Sequence, residues 1–199
     1  MLVKHNNNSI SALTSAGQLA QGKMTLISEQ TASSSNSISF TSGIDSIYPI
    51  YRFEFINIHP QIDDVDFKFQ GSTDNGSTYA TSITSTWFES YHDEADTGTS
   101  LAYNTGRDQA NGTALQFINN KLGNDNDQSS CVELILYSPS DTTFVKHFLI
   151  RTIRYSSNNF QAQQYCAGYF NTTSAVTNLK FQMSSGNIDD GIIKMYGVS

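Results

Sequence analysis

One stretch of the chain holds the densest set of side chains that could do chemistry. Trp87, Tyr91 and Tyr103 are aromatic, and His92 and Asp93 directly follow Tyr91. Aromatic rings can pack against the apolar faces of sugars, and carboxylates accept hydrogen bonds from hydroxyl groups. The composition is therefore permissive for a glycan-binding loop built from these five residues. The simpler alternative is that Trp87 only anchors this stretch onto the core.

The same stretch contains three closely spaced carboxylates, Asp93, Glu94 and Asp96. Oxygen ligands of this kind suit a hard cation such as Ca²⁺. Adjacent residues on an extended chain point to opposite sides, so closeness in sequence does not by itself create a binding site. A solvated acidic loop explains the three residues with fewer assumptions, and a calcium site is the alternative.

No catalytic arrangement stands out in the sequence. The chain has no Gly-x-Ser-x-Gly nucleophile turn and no phosphate-binding glycine loop. Its histidines are isolated from one another: His5, His59, His92 and His147. The carboxylate pair of a glycosidase would meet only in space, and nothing in the sequence points to such a pair. The sequence thus predicts a protein that is not an enzyme and needs no cofactor.

The charge balance argues against two classes of partner. The net charge is −7, and the 11 Lys and Arg residues are scattered, whereas nucleic-acid binding needs clustered cations. No apolar run approaches the ~18 residues of a membrane span. The N-terminal segment lacks the apolar core of a signal peptide, so we expect the chain to fold in a cytoplasm.

Composition also indicates the kind of surface that the protein presents. Charged residues make up 15% of the chain, against roughly 25% in a typical soluble domain. Ser, Thr, Asn and Gln must therefore supply much of the polar surface. Such neutral surfaces are typical of extracellular and virion β-proteins, which pack against neighbours without desolvating charges.

Hydrophobic periodicity predicts an all-β domain over residues 24–199. Residues 64–70 and 179–183 alternate strictly between apolar and polar, as strands with one buried face do. Residues 51–55 do the same, and the apolar face then shifts at Ile56 and Ile58, which predicts a bulge or a bend between the sheets. About nine or ten short strands separated by Asn-, Asp- and Gly-rich turns predict an antiparallel β-sandwich.

Other segments give less regular signals. Residues 132–137 and 148–151 are nearly continuous apolar runs, which favour central strands buried on both faces. Residues 85–111 are expected to form a long loop that is functional or an insertion. Cys131 and Cys166 lie in apolar runs, so buried free thiols are favoured over a disulfide, which the sequence cannot test.

Residues 1–23 are polar and rich in Asn and Ser, and they are expected to form an N-terminal arm. One interpretation is a disordered terminus, and the other is an assembly arm that orders against a partner subunit. The apolar residues that would make such contacts are Leu2, Val3, Ile10, Leu13 and Leu19.

Several segments of the sequence resemble segments of one group of proteins. They lie at residues 26–35, 39–46, 51–60, 167–173 and 181–197, and together they span nearly the whole chain from Leu26. The pattern resembles virion structural proteins of tailed bacteriophages that infect marine bacteria, cyanophages especially. This resemblance rests on these segments and not on a catalytic motif, so it carries over no catalytic residue.

The resemblance implies a jelly-roll-like module displayed on a virion as a capsid decoration, fibre or tail-associated protein. The partners would be other virion proteins and further copies of the chain. In jelly rolls the first and last strands commonly pair, so residues 25–30 and 192–196 are expected to be neighbours. Residues 1–23 would then project from the sandwich and carry the attachment. A host-surface glycan-binding module is the alternative function.

Overall fold

The computed structural model of the chain describes residues 24–199, which form twelve β-strands. The predicted N-terminal arm lies outside the described residues, and its role stays a prediction. The strands are β1 (Met24–Ser35), β2 (Ile38–Phe40), β3 (Ile50–Pro60), β4 (Val65–Ser72), β5 (Ile83–Asp93), β6 (Thr99–Tyr103), β7 (Gln116–Leu122), β8 (Ser130–Tyr137), β9 (Lys146–Tyr155), β10 (Phe160–Phe170), β11 (Asn178–Met183) and β12 (Ile188–Val198). Within residues 24–199 no helix is long and apolar enough to cross a membrane.

The strands form two antiparallel sheets that pack face to face, which confirms the predicted β-sandwich. The larger sheet has the order β1-β12-β3-β8-β9-β10-β5-β6, and the smaller has the order β2-β11-β4-β7. The four-stranded unit β1-β12-β3-β8 and the smaller sheet together contain eight strands in two sheets, as a jelly roll does. We call these eight strands the body.

The other four strands come from two insertions into the body. One insertion, β5 and β6, lies between β4 and β7 in the chain, and the other, β9 and β10, lies between β8 and β11. Pairing of β10 with β5 joins the two hairpins, and pairing of β9 with β8 attaches them to the larger sheet. We call β9, β10, β5 and β6 the extension.

The extension corrects the prediction of a long loop over residues 85–111. Most of that stretch is the β5–β6 hairpin, in which Phe88 pairs with Tyr103 and His92 pairs with Thr99. The insertion was anticipated, but its strands were not. The strand β6 has no buried residue, so no apolar alternation marks it in the sequence.

The predicted pairing of the first and last strands is confirmed. Glu29 pairs with Lys194 and Gln30 with Ile193, and the ladder runs on to Met24 opposite Val198. The predicted bulge in β3 is also present, since the register with β8 shifts between Phe55 and Ile58. Asn57 has φ 50° there, a left-handed conformation that Asn tolerates better than most residues.

Phenylalanine rings fill the core between the two sheets of the body. Phe181, at the middle of β11, lies within 6.3 Å, measured between ring centroids, of five other rings. These rings belong to Phe40, Phe53, Phe55, Phe67 and Phe69. The pairs with Phe40 and Phe55 are edge-to-face, which is a favoured geometry for aromatic contacts.

The prediction that β8 and β9 are buried on both faces is wrong. Both strands are central in the larger sheet, but only alternate residues are buried, and Leu149 and Ile153 are 46% and 48% exposed. A two-layer sandwich covers only one face of each sheet. The apolar residues on the other face of β9 are therefore not covered by a second layer among residues 24–199.

The two cysteines are free thiols on opposite faces of the larger sheet. Cys166 is buried on the inner side of β10, and burial raises the pKa of its thiol to about 12. Cys131 points to the opposite side of β8 and is only half-buried. The expectation of free thiols is confirmed, but burial holds for Cys166 alone.

A tyrosine at the start of β3 makes the stability of the body depend on pH. The Tyr51 hydroxyl accepts a hydrogen bond from the backbone N–H of Asp45 at 2.9 Å and lies 2.8 Å from the Asp45 carboxylate. Burial, followed by the bond to that carboxylate, raises the pKa of Tyr51 from 10.0 to about 12.

We expect this contribution to stability to be complete below pH 10.0 and to disappear as the pH rises towards about 12. The unfolded chain releases the Tyr51 proton in this range while the folded chain still holds it, so a higher pH favours unfolding. Thermal unfolding of the wild type and of Tyr51→Phe, followed against pH, tests this. The wild type should lose stability more steeply than the variant, and parallel curves would contradict the assignment.

Candidate functional site

The first candidate site is the solvent-facing side of the larger sheet, which we call the outer face. Directly paired residues of neighbouring strands share a face, so the strand register identifies its members. One row crosses all eight strands through Tyr103, Phe88, Tyr165, Arg151, Glu133, Glu54, Lys194 and Glu29. At the aromatic end of the row the rings of Phe88 and Tyr165 stack, with their centroids 4.9 Å apart and an interplanar angle of 14°.

Most of the exposed large apolar side chains in the described part of the chain lie on the outer face. They are Met24, Leu26, Ile56, Phe88, Leu101, Tyr103, Leu149 and Ile153. Only Ile47, Ile62 and Phe144 lie elsewhere, in loops. A shallow groove of about 320 Å³ runs between Phe88, Ile135, Leu149 and Tyr165. Contiguous exposed apolar patches on soluble proteins typically mark interaction sites.

The charges on the outer face are balanced. The cations Arg52, Arg151 and Lys194 lie among the anions Glu29, Glu54 and Glu133. Arg52 lies 3.2 Å from both Glu54 and Glu133, which relieves the repulsion between these two directly paired carboxylates. Since the whole chain carries a net charge of −7, its excess negative charge lies off this central part of the outer face.

The second candidate site is a cleft on the inner side of the extension, beside the edge strand β7. The smaller sheet ends at β7, so the inner side of β9, β10 and β5 continues past it without a covering strand. The cleft has a volume of about 430 Å³ and is lined by Glu89, Tyr91, Asp93, Gly98, Asn104, Arg107, Asn120, Lys121, Arg154, Asn158 and Phe160. We call it the extension cleft.

A buried arginine lies in the wall of the extension cleft. Arg154 is 4% exposed, and its guanidinium donates hydrogen bonds to the side-chain oxygen of Asn120 at 3.0 Å and to the carbonyl of Lys121 at 3.2 Å. The Glu89 carboxylate lies 3.8 Å away. Burial lowers the pKa of Arg154 to about 10, although the negative charge of Glu89 opposes this shift.

Gln164 completes this network from the strand between β9 and β5. Its amide nitrogen donates to Glu89 at 2.8 Å and also to the side-chain oxygen of Asn120. Two buried atoms of the network, Nε of Arg154 and Oε1 of Gln164, have no hydrogen-bond partner within residues 24–199. An unpaired donor and an unpaired acceptor therefore lie in one polar cluster.

Aromatic rings form another part of the cleft wall. The rings of Tyr91 and Phe160 lie 4.9 Å apart, and the Arg154 guanidinium lies 5.1 Å from the centre of the Phe160 ring. At the end of β5, Asp93 accepts hydrogen bonds from the backbone and the hydroxyl of Thr97, and these bonds lower the pKa of its carboxyl. The Asp93 carboxylate is therefore partly used in holding the β5–β6 turn.

The structure separates the residues that were predicted to form one glycan-binding loop. Tyr91 and Asp93 line the extension cleft, whereas His92 and Tyr103 lie on the outer face. Trp87 is 0% exposed and packs against Phe117, so it cannot stack on a sugar, and its predicted binding role is wrong. The alternative interpretation, an anchor in the core, is correct for Trp87.

The three candidate calcium ligands do not form a cation site. Among residues 24–199 no group of three His, Cys, Asp or Glu side chains is placed to hold a metal ion. His92 lies 3.0 Å from Asp96, so that carboxylate already has a partner, and Asp93 caps Thr97. Asp93, Glu94 and Asp96 fit the simpler interpretation of a solvated acidic turn.

Comparison with known proteins adds no functional assignment. No family model, no curated protein and no solved structure matches this chain. The geometry of the outer face and of the extension cleft is therefore the basis for the proposals below.

The network residues of the cleft were not predicted from the sequence. Glu89, Asn120, Arg154 and Gln164 come from four strands, and the nearest two in sequence are ten positions apart. The one local signal was the arginine between Ile153 and Tyr155 near the end of β9, since Arg is rarely buried without a partner.

Proposed function

We propose that this protein is a non-enzymatic structural component of a phage virion, which assembles on the particle surface. The observation that carries the proposal is the outer face, where exposed apolar side chains concentrate on a charge-balanced sheet. A free domain gains nothing from exposing these side chains, whereas burying them in an interface contributes roughly 25 cal/mol for each Å² removed from water. The sequence resemblance to phage virion proteins supplies the setting.

The occupant of the outer face is a second copy of the chain. Two acidic molecules repel each other, but the outer face offers a meeting surface without net charge. A two-fold axis would place Arg151 of one copy near Glu133 or Glu54 of the other, so that opposite charges meet at a self-complementary interface. Residues 1–23, which include Leu2, Val3, Ile10, Leu13 and Leu19, add a further attachment to neighbouring virion proteins in this proposal.

Leu149→Arg in the full chain tests the outer face. Leu149 lies in the middle of the face and borders the groove, so we expect the variant to weaken self-association by about 100-fold, the size of an interface hot spot. Sedimentation equilibrium over a concentration series measures this. Phe144→Arg is the matched control, because Phe144 is an exposed apolar residue in a loop away from the face.

The thiol of Cys131 gives a second readout, because Cys131 also lies on the outer face. It should react with a maleimide more slowly in the wild type than in Leu149→Arg. A wild type that stays monomeric would overturn the role of a second copy. An oligomer that disappears in residues 24–199 alone, but persists in Leu149→Arg, would assign the contact to the arm instead.

Whether the protein lies on the surface of a virion needs a separate measurement. Antibodies against the chain are expected to label the surface of purified phage particles in electron micrographs. Particles that lack the protein altogether would rule out the structural role.

Recognition of a host-surface glycan remains a second candidate function. The specific observation in its favour is that Tyr91 and Asp93, two of the residues first considered for it, line the extension cleft together with Glu89 and Asn104. This function would coexist with assembly, because the cleft and the outer face lie on opposite sides of the larger sheet.

A further inference from the structure

The extension cleft holds a buried polar network that links β5, β9 and β10 to β7. Moving an arginine and a carboxylate out of water costs several kcal/mol, and this cost is recovered only when every donor and acceptor is satisfied. Within residues 24–199 the Arg154 Nε and the Gln164 Oε1 have no hydrogen-bond partner, and Arg154 and Gln164 are 4% and 1% exposed. Buried polar groups without a partner are uncommon in native structures, and one explanation for such a group is a functional site.

The chemistry of the network indicates which ligand it suits. An anion would pair with the guanidinium but would be repelled by the Glu89 carboxylate beside it. A hydroxyl group both donates and accepts, so it complements a wall that contains the Arg154 donor and the Glu89 acceptor. Glu89 also uses only its Oε2 in the contacts with Gln164 and Arg154, which leaves Oε1 for a hydroxyl donor.

The charges in the wall of the cleft support a neutral ligand. Glu89 lies beside Arg154, and Arg107 is held 3.5 Å from Asp66, so the two arginines are already matched by carboxylates. Asp93 and Lys121, which also line the cleft, add one negative and one positive charge. Phosphate or a uronic acid would therefore meet as much repulsion as attraction.

The shape of the cleft fits a ring-shaped polar molecule. Its volume of about 430 Å³ falls within the range of roughly 300–1,000 Å³ that is typical of small-molecule sites. Tyr91 and Phe160 supply an aromatic wall, and polar side chains supply the rest of the lining. A sugar ring has the matching combination of an apolar C–H face and a polar rim.

We propose that the extension cleft binds a neutral saccharide, with Tyr91 and Phe160 packing against the sugar, Glu89 and Arg154 binding its hydroxyl groups, and Gln164 positioning Glu89 from behind. The inference specifies the site and the ligand class for the second candidate function on which it rests. It is independent of assembly through the outer face.

Titration of the full chain with defined probes tests the proposal. The probes are glucose, mannose, galactose, lactose and maltose, with glucuronate and inorganic phosphate as anionic comparisons. Saturation-transfer NMR detects weak binding, and calorimetry gives the affinity. We expect at least one neutral sugar to bind, with its C–H protons in contact with the protein, and the two anions to bind more weakly.

Two substitutions locate the binding. Tyr91→Ala removes part of the aromatic wall and should lower the affinity about tenfold. Glu89→Gln keeps the side-chain shape and should also weaken sugar binding, because an amide is a poorer acceptor than a carboxylate. Tyr169→Ala is the matched control, since Tyr169 lies on the same strand as Gln164 but points to the outer face, and it should leave the affinity unchanged.

Several results would overturn the proposal. Binding of none of the neutral sugars would do so, and so would tighter binding of phosphate or glucuronate that increases further in Glu89→Gln. Sugar binding that survives Tyr91→Ala but falls in Tyr169→Ala would move the site to the outer face. That last result would still support glycan recognition, but it would exclude the extension cleft as the binding site.

Discussion

Trp87→Ala is expected to lower the free energy of unfolding by about 3–5 kcal/mol. Trp87 is 0% exposed, and its removal would leave a cavity beside Phe117 where the extension joins β7. Chemical denaturation followed by circular dichroism measures the loss. Since domains are stable by only about 5–15 kcal/mol, the variant would be close to unfolding at moderate temperature.

Two other substitutions show whether burial is the cause. Trp87→Phe should cost less than Trp87→Ala, because it fills more of the cavity and removes an indole N–H that has no partner within residues 24–199. Tyr103→Ala, at a residue that is 52% exposed, should change stability by no more than about 0.5 kcal/mol. Equal losses at Trp87 and Tyr103 would contradict the assignment of Trp87 to the core.

Trp87→Ala is therefore not a suitable variant for testing glycan binding. A loss of binding in Trp87→Ala would report a damaged fold and not a lost sugar contact. Tyr91 is the informative aromatic residue of this stretch, because it lines the extension cleft and is only half-buried.

The second large effect is expected at the centre of the body. Phe181→Ala should cost about 3–5 kcal/mol, because the ring contacts phenylalanines from both sheets and its loss leaves a cavity between them. Phe144→Ala removes the same side chain from a loop where it is 69% exposed, so it should cost no more than about 0.5 kcal/mol.

Denaturant midpoints of the two variants provide the comparison. A loss below about 1 kcal/mol in Phe181→Ala would mean that the neighbouring rings close the cavity. Phe181→Leu, which keeps most of the apolar volume, should fall between the wild type and the alanine variant.

Strands with one buried face could be predicted from the sequence, because their apolar and polar residues alternate. The alternation in residues 64–70 and 179–183 corresponds to β4 and β11, because each has one face on the core. The pairing of β1 with β12 also followed from the jelly-roll expectation. Sequence alone thus predicted most strands of the body and the pairing of β1 with β12 at one edge of the larger sheet.

For other strands, the sequence pattern did not reveal the strand or which of its faces is buried, and the reasons are physical. The strand β7 buries Gln116, Asn119 and Asn120, and their hydrogen bonds to other groups take the place of apolar alternation. Leu149, within the apolar run of residues 148–151, made β9 look buried on both sides, although it faces outwards. A short apolar run cannot distinguish a strand covered twice from one that presents an apolar surface to a partner.

The cleft could not be predicted because its residues meet only through tertiary pairing. Glu89 and Arg154 are brought together by Gln164 on β10, the strand that lies between theirs. That neighbourhood depends on two insertions pairing with each other, and no local pattern in either insertion encodes the pairing.

The ladder between β1 and β12 has a consequence for the timing of folding. The strand β1 is synthesised first among the described strands, but within residues 24–199 it pairs in the larger sheet with β12 alone. During translation β1 must therefore wait, unpaired, until residues 188–198 have left the ribosome. Contacts so distant in sequence slow folding. Docking of β1 is thus a late event in folding, and a nascent chain in which residues 188–198 are not yet available would expose β1 to other chains.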